Sequence, residues 1–228
     1  MKRSNIFLHI LFISIVSVIP FFSGCDSAET TYGTVSLSFR PPIIDKISVD
    51  TIVLDTVKIL LQDIKIKNQA SESDDQIHLG TMVVYLSVNQ MTTDFAVENV
   101  PAGTYDRVRF EVHKCGGSEI PPDPEFREGS DISLRYSVIV KGLVDSTNFI
   151  YKSTKSAHQD IKLETPITVE ENSSANLTIA VDPISWFFDE NSMLLDPTDP
   201  ANENEIDNNI AQSFKKCFLD NNHDGIED

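Results

Sequence analysis

Basic residues are scarce in this chain: 18 Lys and Arg stand against 35 Asp and Glu over 228 residues, a formal charge of −17. That balance excludes non-specific nucleic-acid binding, which needs a basic surface. It also excludes electrostatic docking on anionic lipid, and it favours solubility and affinity for cations. Glycine is sparse, with nine in all, and none forms a Gly-rich phosphate loop. No G-x-S-x-G elbow and no H-E-x-x-H pair occurs, so the common hydrolase and zinc-protease signatures are missing and no enzymatic activity is expected. Only one long apolar run exists, at residues 6–22. The remainder is expected to be soluble. There is no internal repeat.

The apolar run reads as an export signal. Lys2 and Arg3 precede it, and Ser23 and Gly24 stand directly before Cys25, which is the basic, apolar, small-residue order of secretory signals. "SGC" resembles the lipobox of bacterial lipoproteins, in which cleavage precedes the cysteine and that cysteine is acylated. Phe22 departs from the aliphatic residue usual at that position. As an uncleaved anchor the run is poor: His9, Ser14, Ser17 and Pro20 interrupt it, and it is short against the roughly 20 residues a spanning helix needs. The resemblance implies a signal peptide over 1–24, lipidation of Cys25 and a tether over 25–32. The protein would be held on the membrane through lipidated Cys25 in a bacterial envelope, at the outer membrane or cell surface rather than the inner membrane. Each buried acyl methylene contributes about 0.8 kcal/mol to such an anchor.

From Gly33 the chain alternates with the period of strands. "TVSLSF" puts Val35, Leu37 and Phe39 on one face. "TVKILLQDIKIK" puts Val57, Ile59 and Leu61 on one face, and then the phase slips so that Ile64 and Ile66 follow. A one-residue slip marks a bulge, here near Gln62–Asp63. "TYDRVRFEVHK" turns Val108, Phe110 and Val112 inward and Arg107, Arg109, Glu111 and His113 outward. About ten such runs separated by turn residues predict a mainly β fold, an antiparallel two-layer β-sandwich over 33–182. "NQASESDDQ" and "GGSEIPPDPEFREGS" read as long polar loops.

Residues 183–228 form a C-terminal extension of different composition. Ile206, Ile210, Phe214, Cys217 and Phe218 fall on one helical face and predict an amphipathic helix over about 205–219. Asn204 and Asp207 would cap its start, and Lys215 and Lys216 would suit its last turn. A helix of that length needs packing to be stable. It is expected to lie on the sandwich against Trp186, Phe187 and Phe188. "VPAGTYDRVRFEV", residues 100–112, and the stretch from "DPISWF" to "NNIAQSFKKCFLDNNHDG" resemble parts of secreted β-sandwich lipoproteins of unknown function from Bacteroidetes-type bacteria. The same turn has a local explanation: Pro101 and Gly103 make it and Tyr105 opens a strand.

The acidic tail "FLDNNHDGIED" carries the most specific spelling. With Asp220 as position 1 of a calcium loop, Asn222 is 3, Asp224 is 5, Gly225 is 6, the Ile226 carbonyl is 7 and Asp228 is 9. Hard oxygen donors at alternate positions curl around an ion, and glycine allows the sharp turn. This resembles a single partial EF-hand or thrombospondin type 3 repeat, without the position-12 carboxylate. A ligand borrowed from "DPTDPANEN" would have to complete it. Softer metals have one candidate pair, His113 and Cys115, placed on one strand face and suited to copper or zinc. With Cys25 acylated, Cys115 and Cys217 remain as a pair that an oxidising compartment permits to bridge; two separate thiols are the alternative. The expected function is that of an envelope-anchored lipoprotein acting as a non-catalytic binding or scaffold module. Loops around 68–76 and 116–130 would contact a protein or glycan partner. The alternatives are a metal-handling lipoprotein and, less favoured, a carbohydrate-active enzyme using paired carboxylates.

Overall fold

The computed structural model describes residues 30–40, 52–68, 80–86, 93–128 and 134–228. The signal sequence, Cys25 and most of the loop at 68–76 lie outside these. The first strands are β1 (Tyr32–Arg40), β2 (Ile52–Asn68), β3 (Met82–Leu86), β4 (Thr93–Pro101) and β5 (Gly103–Val112). A short hairpin follows, β6 (Arg127–Glu128) with β7 (Leu134–Arg135). Then come β8 (Val138–Val144), β9 (Thr147–Ser153), β10 (Ala157–Val169) and β11 (Ser174–Ala180). The chain finishes with α1 (Glu203–Gln212) and β12 (Lys216–Leu219).

These strands make a mainly β, sandwich-like fold. One sheet runs β12-β11-β1-β4 and the other β10-β5-β2-β8-β9, with β3 paired to β2. The first sheet is mixed, not antiparallel as expected: β1 and β11 pair in parallel, from Thr34 with Ser174 to Arg40 with Ala180. Parallel neighbours need a long crossover, and here the chain between Arg40 and Ser174, which carries β2 to β10, forms it. Inward residues of both sheets share one core. Val35, Leu37 and Phe39 meet Val57, Ile59, Leu61, Ile64, Ile66, Val108, Phe110 and Val112 there. Phe110 and Phe214 stack edge to face with ring centroids 5.4 Å apart, a favoured aromatic geometry. The bulge sits where the phase slip predicts it. Register between β2 and β5 shifts between Gln62 and Lys65, and Asp63 takes φ 53°. Tyr105, fully buried, donates its hydroxyl to the Pro101 carbonyl at 2.6 Å, which ties the 101–103 turn to β5.

The C-terminal extension departs from its expected form. Pro200 starts helical winding early, in a 3₁₀ turn over Pro200–Asn202 capped by Asp199, and α1 follows directly. Asn204 is therefore inside the helix and not its cap. Asp207 points inward instead, accepting the Tyr151 hydroxyl at 2.8 Å. Ile206 and Ile210 enter the core, and Asn209 donates to the carbonyls of Trp186 and Phe188. Helix winding stops at Gln212. Cys217 and Phe218 belong to β12, where Ile179 pairs with Cys217 and Thr178 with Phe218. An open sheet edge at β11 satisfies their backbone groups, which a lone last helical turn would leave unpaired. Lys215 and Lys216 accordingly lie beyond the helix, and Lys216 pairs with Glu164 and Glu227.

Candidate functional site

The outer face of the mixed sheet is polar and covered. In β1 the residues between Val35, Leu37 and Phe39 are Ser36, Ser38 and Arg40; in β11 they are Asn176 and Thr178. Register sets Ser36 beside Asn176 and Ser38 beside Thr178. Alternation puts these side chains away from the core. Ser38, Asn176 and Thr178 are nonetheless buried, because the tail folds over them. The bonds are dense. Ser36 donates to Asn176 Oδ1 at 2.8 Å, and Asn176 Nδ2 donates to Thr178 Oγ1 and to the Asp220 carbonyl. Ser38 Oγ lies 2.7 Å from Asp94 Oδ1 and 2.9 Å from Asn176 Oδ1. His223 Nδ1 lies 3.2 Å from the same Asp94 oxygen.

Asp220 is the hub of this cover and is fully buried. Its Oδ2 accepts the Thr178 hydroxyl at 2.7 Å and the Gly225 N–H at 2.9 Å. Its Oδ1 is buried with no hydrogen-bond partner. Beyond it the loop closes on itself: Asn222 Oδ1 accepts the Asp224 N–H, Asp224 Oδ1 accepts the Ile226 N–H, and Asp228 Oδ2 accepts the Asn221 N–H. Asn222, Asp224, Ile226 and Asp228 are all exposed. Among the described residues no group of three His, Cys, Asp or Glu side chains converges to hold a metal. The borrowed ligand from "DPTDPANEN" is not supplied: Asp196 and Asp199 bind the N–H groups of Thr198 and Ala201 in their own turns. The tail instead packs on Arg40, Asn176 and Thr178 and reaches Asp94. A cavity of about 330 Å³ adjoins the tail, lined by residues that include Thr165, Thr168, Ser174, Asn221, Glu227 and Asp228.

A second polar assembly lies on the outer face of the other sheet. The segment after β5, read from sequence as an open polar loop, is pinned down as a flap, described over 113–128 and 134–136. Leu60 and Ile139 face outward from β2 and β8, and with Cys115, Phe126 and Tyr136 they make a small separate core. Salt bridges fasten the rim. Lys58 Nζ lies 2.6 Å from Asp123 and 2.7 Å from Glu125, and Lys141 bridges Glu125 at 2.5 Å. Lys152 bridges Glu128. Burial pulls the Lys58 ammonium down, but Asp123 and Glu125 reverse this and hold it above the ordinary lysine value. Partial burial pushes the Glu119 carboxyl up, yet hydrogen bonds from His113, Thr81 and the Gly116 N–H hold it down at about 2.

The two residues of the softer metal pair have different surroundings. His113 Nε2 lies 2.8 Å from Glu119 and Nδ1 3.5 Å from Glu111, while Cys115 lies in the small core under the flap. Strand alternation stops at Val112, where β5 ends, so it cannot align the two. Cys115 and Cys217 are both free thiols. They occupy different cores, Cys217 between the sheets and Cys115 under the flap, and the permitted bridge is not formed. Burial pushes the Cys217 thiol up to about 12. Comparison with known proteins finds no matching family model, no matching curated protein and no matching solved structure.

Proposed function

We propose that the chain is a lipid-anchored envelope module that binds a protein or glycan partner and performs no catalysis. The observation that carries this reading is the flap. Salt bridges to β2 and β8 hold it on the outer face of the second sheet, and it presents Ile120, 86 % exposed, next to Pro121 and Pro122. Ile120 is the most exposed of the large apolar side chains among the described residues, and its place on a pinned segment makes it the contact this reading assigns. The chain path supports the orientation. β1 starts seven residues after Cys25, β4 returns beside it at Tyr32 and Pro101, and β5 leaves again towards the flap. In the same reading α1 acts as a cap packed on β9 and β10, through Tyr151 with Asp207 and Gln159 with the Ala211 carbonyl.

The test is made in the producing cell. Cys25→Ser should move the protein from the membrane to the soluble fraction and abolish incorporation of labelled palmitate. Retention in the membrane would sink the anchor. A photo-cross-linking residue at Ile120 should give one discrete adduct, and the same probe at exposed Glu171, on the turn nearest β1, should give none. Equal, featureless labelling at both sites would remove the flap as the contact.

A further inference from the structure

The geometry points to a calcium site in the C-terminal loop, with Asp220 Oδ1 as its fixed ligand. This goes beyond the binding reading above and does not depend on it. The decisive feature is the division of labour within one carboxylate. Oδ2 is fully used, taking the Thr178 hydroxyl and the Gly225 N–H. Oδ1 is out of water and has no donor. A buried carboxylate oxygen without a partner is costly. A cation removes the cost.

The donors for that cation follow at alternate positions. Asn222 and Asp224 bring side-chain oxygens at positions 3 and 5, the Ile226 carbonyl stands at position 7, and Asp228 is at position 9 where a water often mediates. Gly225, at φ 75°, turns the chain between Asp224 and Ile226. The bond from its N–H to Asp220 Oδ2 holds position 6 against position 1 and leaves Oδ1 for the ion. Two adjustments are required. Asn222 Nδ2 now donates to Asp224 Oδ2 at 3.0 Å, so these two exposed side chains must turn, while Asp220 stays fixed by the sheet. Asp94, whose Oδ1 lies 3.2 Å from His223 Nδ1, is a carboxylate beyond the loop that could supply the missing last ligand. Arg40 opposes the site: it packs against Gly225, its Nε is buried and unpartnered, and its charge repels a cation. A loop with few preformed ligands and an opposing arginine belongs with the weak extracellular class, with a dissociation constant of about 10⁻⁴ to 10⁻³ M.

The experiment titrates calcium into the intact, chelator-treated protein by calorimetry and follows the melting temperature. Asp220→Asn keeps one oxygen for Thr178 and Gly225 and replaces the free one by an amide. It should weaken calcium binding at least tenfold. Asp224→Asn, on the exposed loop where folding is not at risk, should do likewise. Asp196→Asn removes an acid outside the loop and should change nothing. At calcium about ten times the dissociation constant, the parent should gain roughly 3 to 6 °C in melting temperature and both loop variants much less. Absence of heat and of any melting shift in the parent overturns the site. Binding that survives unchanged in both loop variants also overturns it, because the ion would then be held by diffuse acidity.

Discussion

Gly225 has Arg40 pressed against its Cα, so a Cβ at that position would overlap the guanidinium and its stem. Its φ of 75° lies in the region that other residues occupy only with strain. Gly225→Ala should therefore destabilise the protein by about 1 to 3 kcal/mol, read as a lower urea midpoint with unchanged slope. The steric and backbone parts can be separated. Adding Arg40→Ala should restore the part due to overlap and leave the part due to φ. Full recovery would mean that the left-handed turn costs nothing here. Asp220 is the opposite case, a residue whose position is secure and whose chemistry is unfinished. Its Oδ2 joins sheet to loop, and its bare Oδ1 is why the tail is more than a run of surface acids.

The flap is held by carboxylates whose affinity for protons is depressed, so it should open in acid. Glu119 is lowered from 4.5 to about 2. Burial raises Asp123, but Lys58 and other donors outweigh it and leave it lowered, and Glu125 and Glu128 are lowered chiefly by hydrogen bonds from Lys141, Lys58 and Lys152. A group depressed on folding binds its proton more readily when released. Its stabilisation is complete above 4.5 and is lost as pH falls towards 2. Cys115, under the flap, should become reactive over that window to a thiol-exchange reagent that works in acid, while Cys217 in the main core stays protected. Simultaneous exposure of both would show that the flap does not open on its own. None of this was legible in "GGSEIPPDPEFREGS". Phe126 is the only large aromatic in that stretch, and the lysines that fasten it stand on β2, β8 and β9, far along the chain. The strands themselves were legible, because Val35, Leu37 and Phe39, and Val108, Phe110 and Val112, repeat with period two, and the slip at Gln62–Asp63 is a local event. Partner choice was not legible, so the parallel pairing of β1 with β11 had no sequence signal. The final apolar residues read as helix in the sequence but form a strand, because Phe214, Cys217 and Phe218 fit a helical face over a stretch too short to separate the periods. In the tail the ligand spelling was readable. The serines, Asn176 and Thr178 beneath it could be placed on an outer face, but nothing local said that the tail would bury them.

At the scale of the whole molecule the proposed anchor and the strand directions set an orientation. The seven residues from Cys25 to the start of β1 span at most about 25 Å, whereas β2 alone, at 17 residues, extends about 55 Å. The turn between β10 and β11 hydrogen-bonds to Tyr32 through the Asn172 N–H and so lies at the anchored end. The flap follows β5 to the other end. A tethered body of this shape could still lie flat, but the charge of −17 for the full chain becomes more negative still once Lys2 and Arg3 leave with the signal, and is repelled from anionic lipid over about a Debye length, which favours standing away from the surface. Fluorophores attached at Glu171→Cys and Ile120→Cys can read this on anionic vesicles, because both native thiols of the body are buried. Energy transfer to an acceptor dye in the bilayer should be stronger from position 171 than from 120. Lowering the salt should widen the gap by lengthening the repulsion. Equal transfer from both positions would mean that the body tumbles or lies flat, and the flap would then have no claim to face a partner outside the membrane.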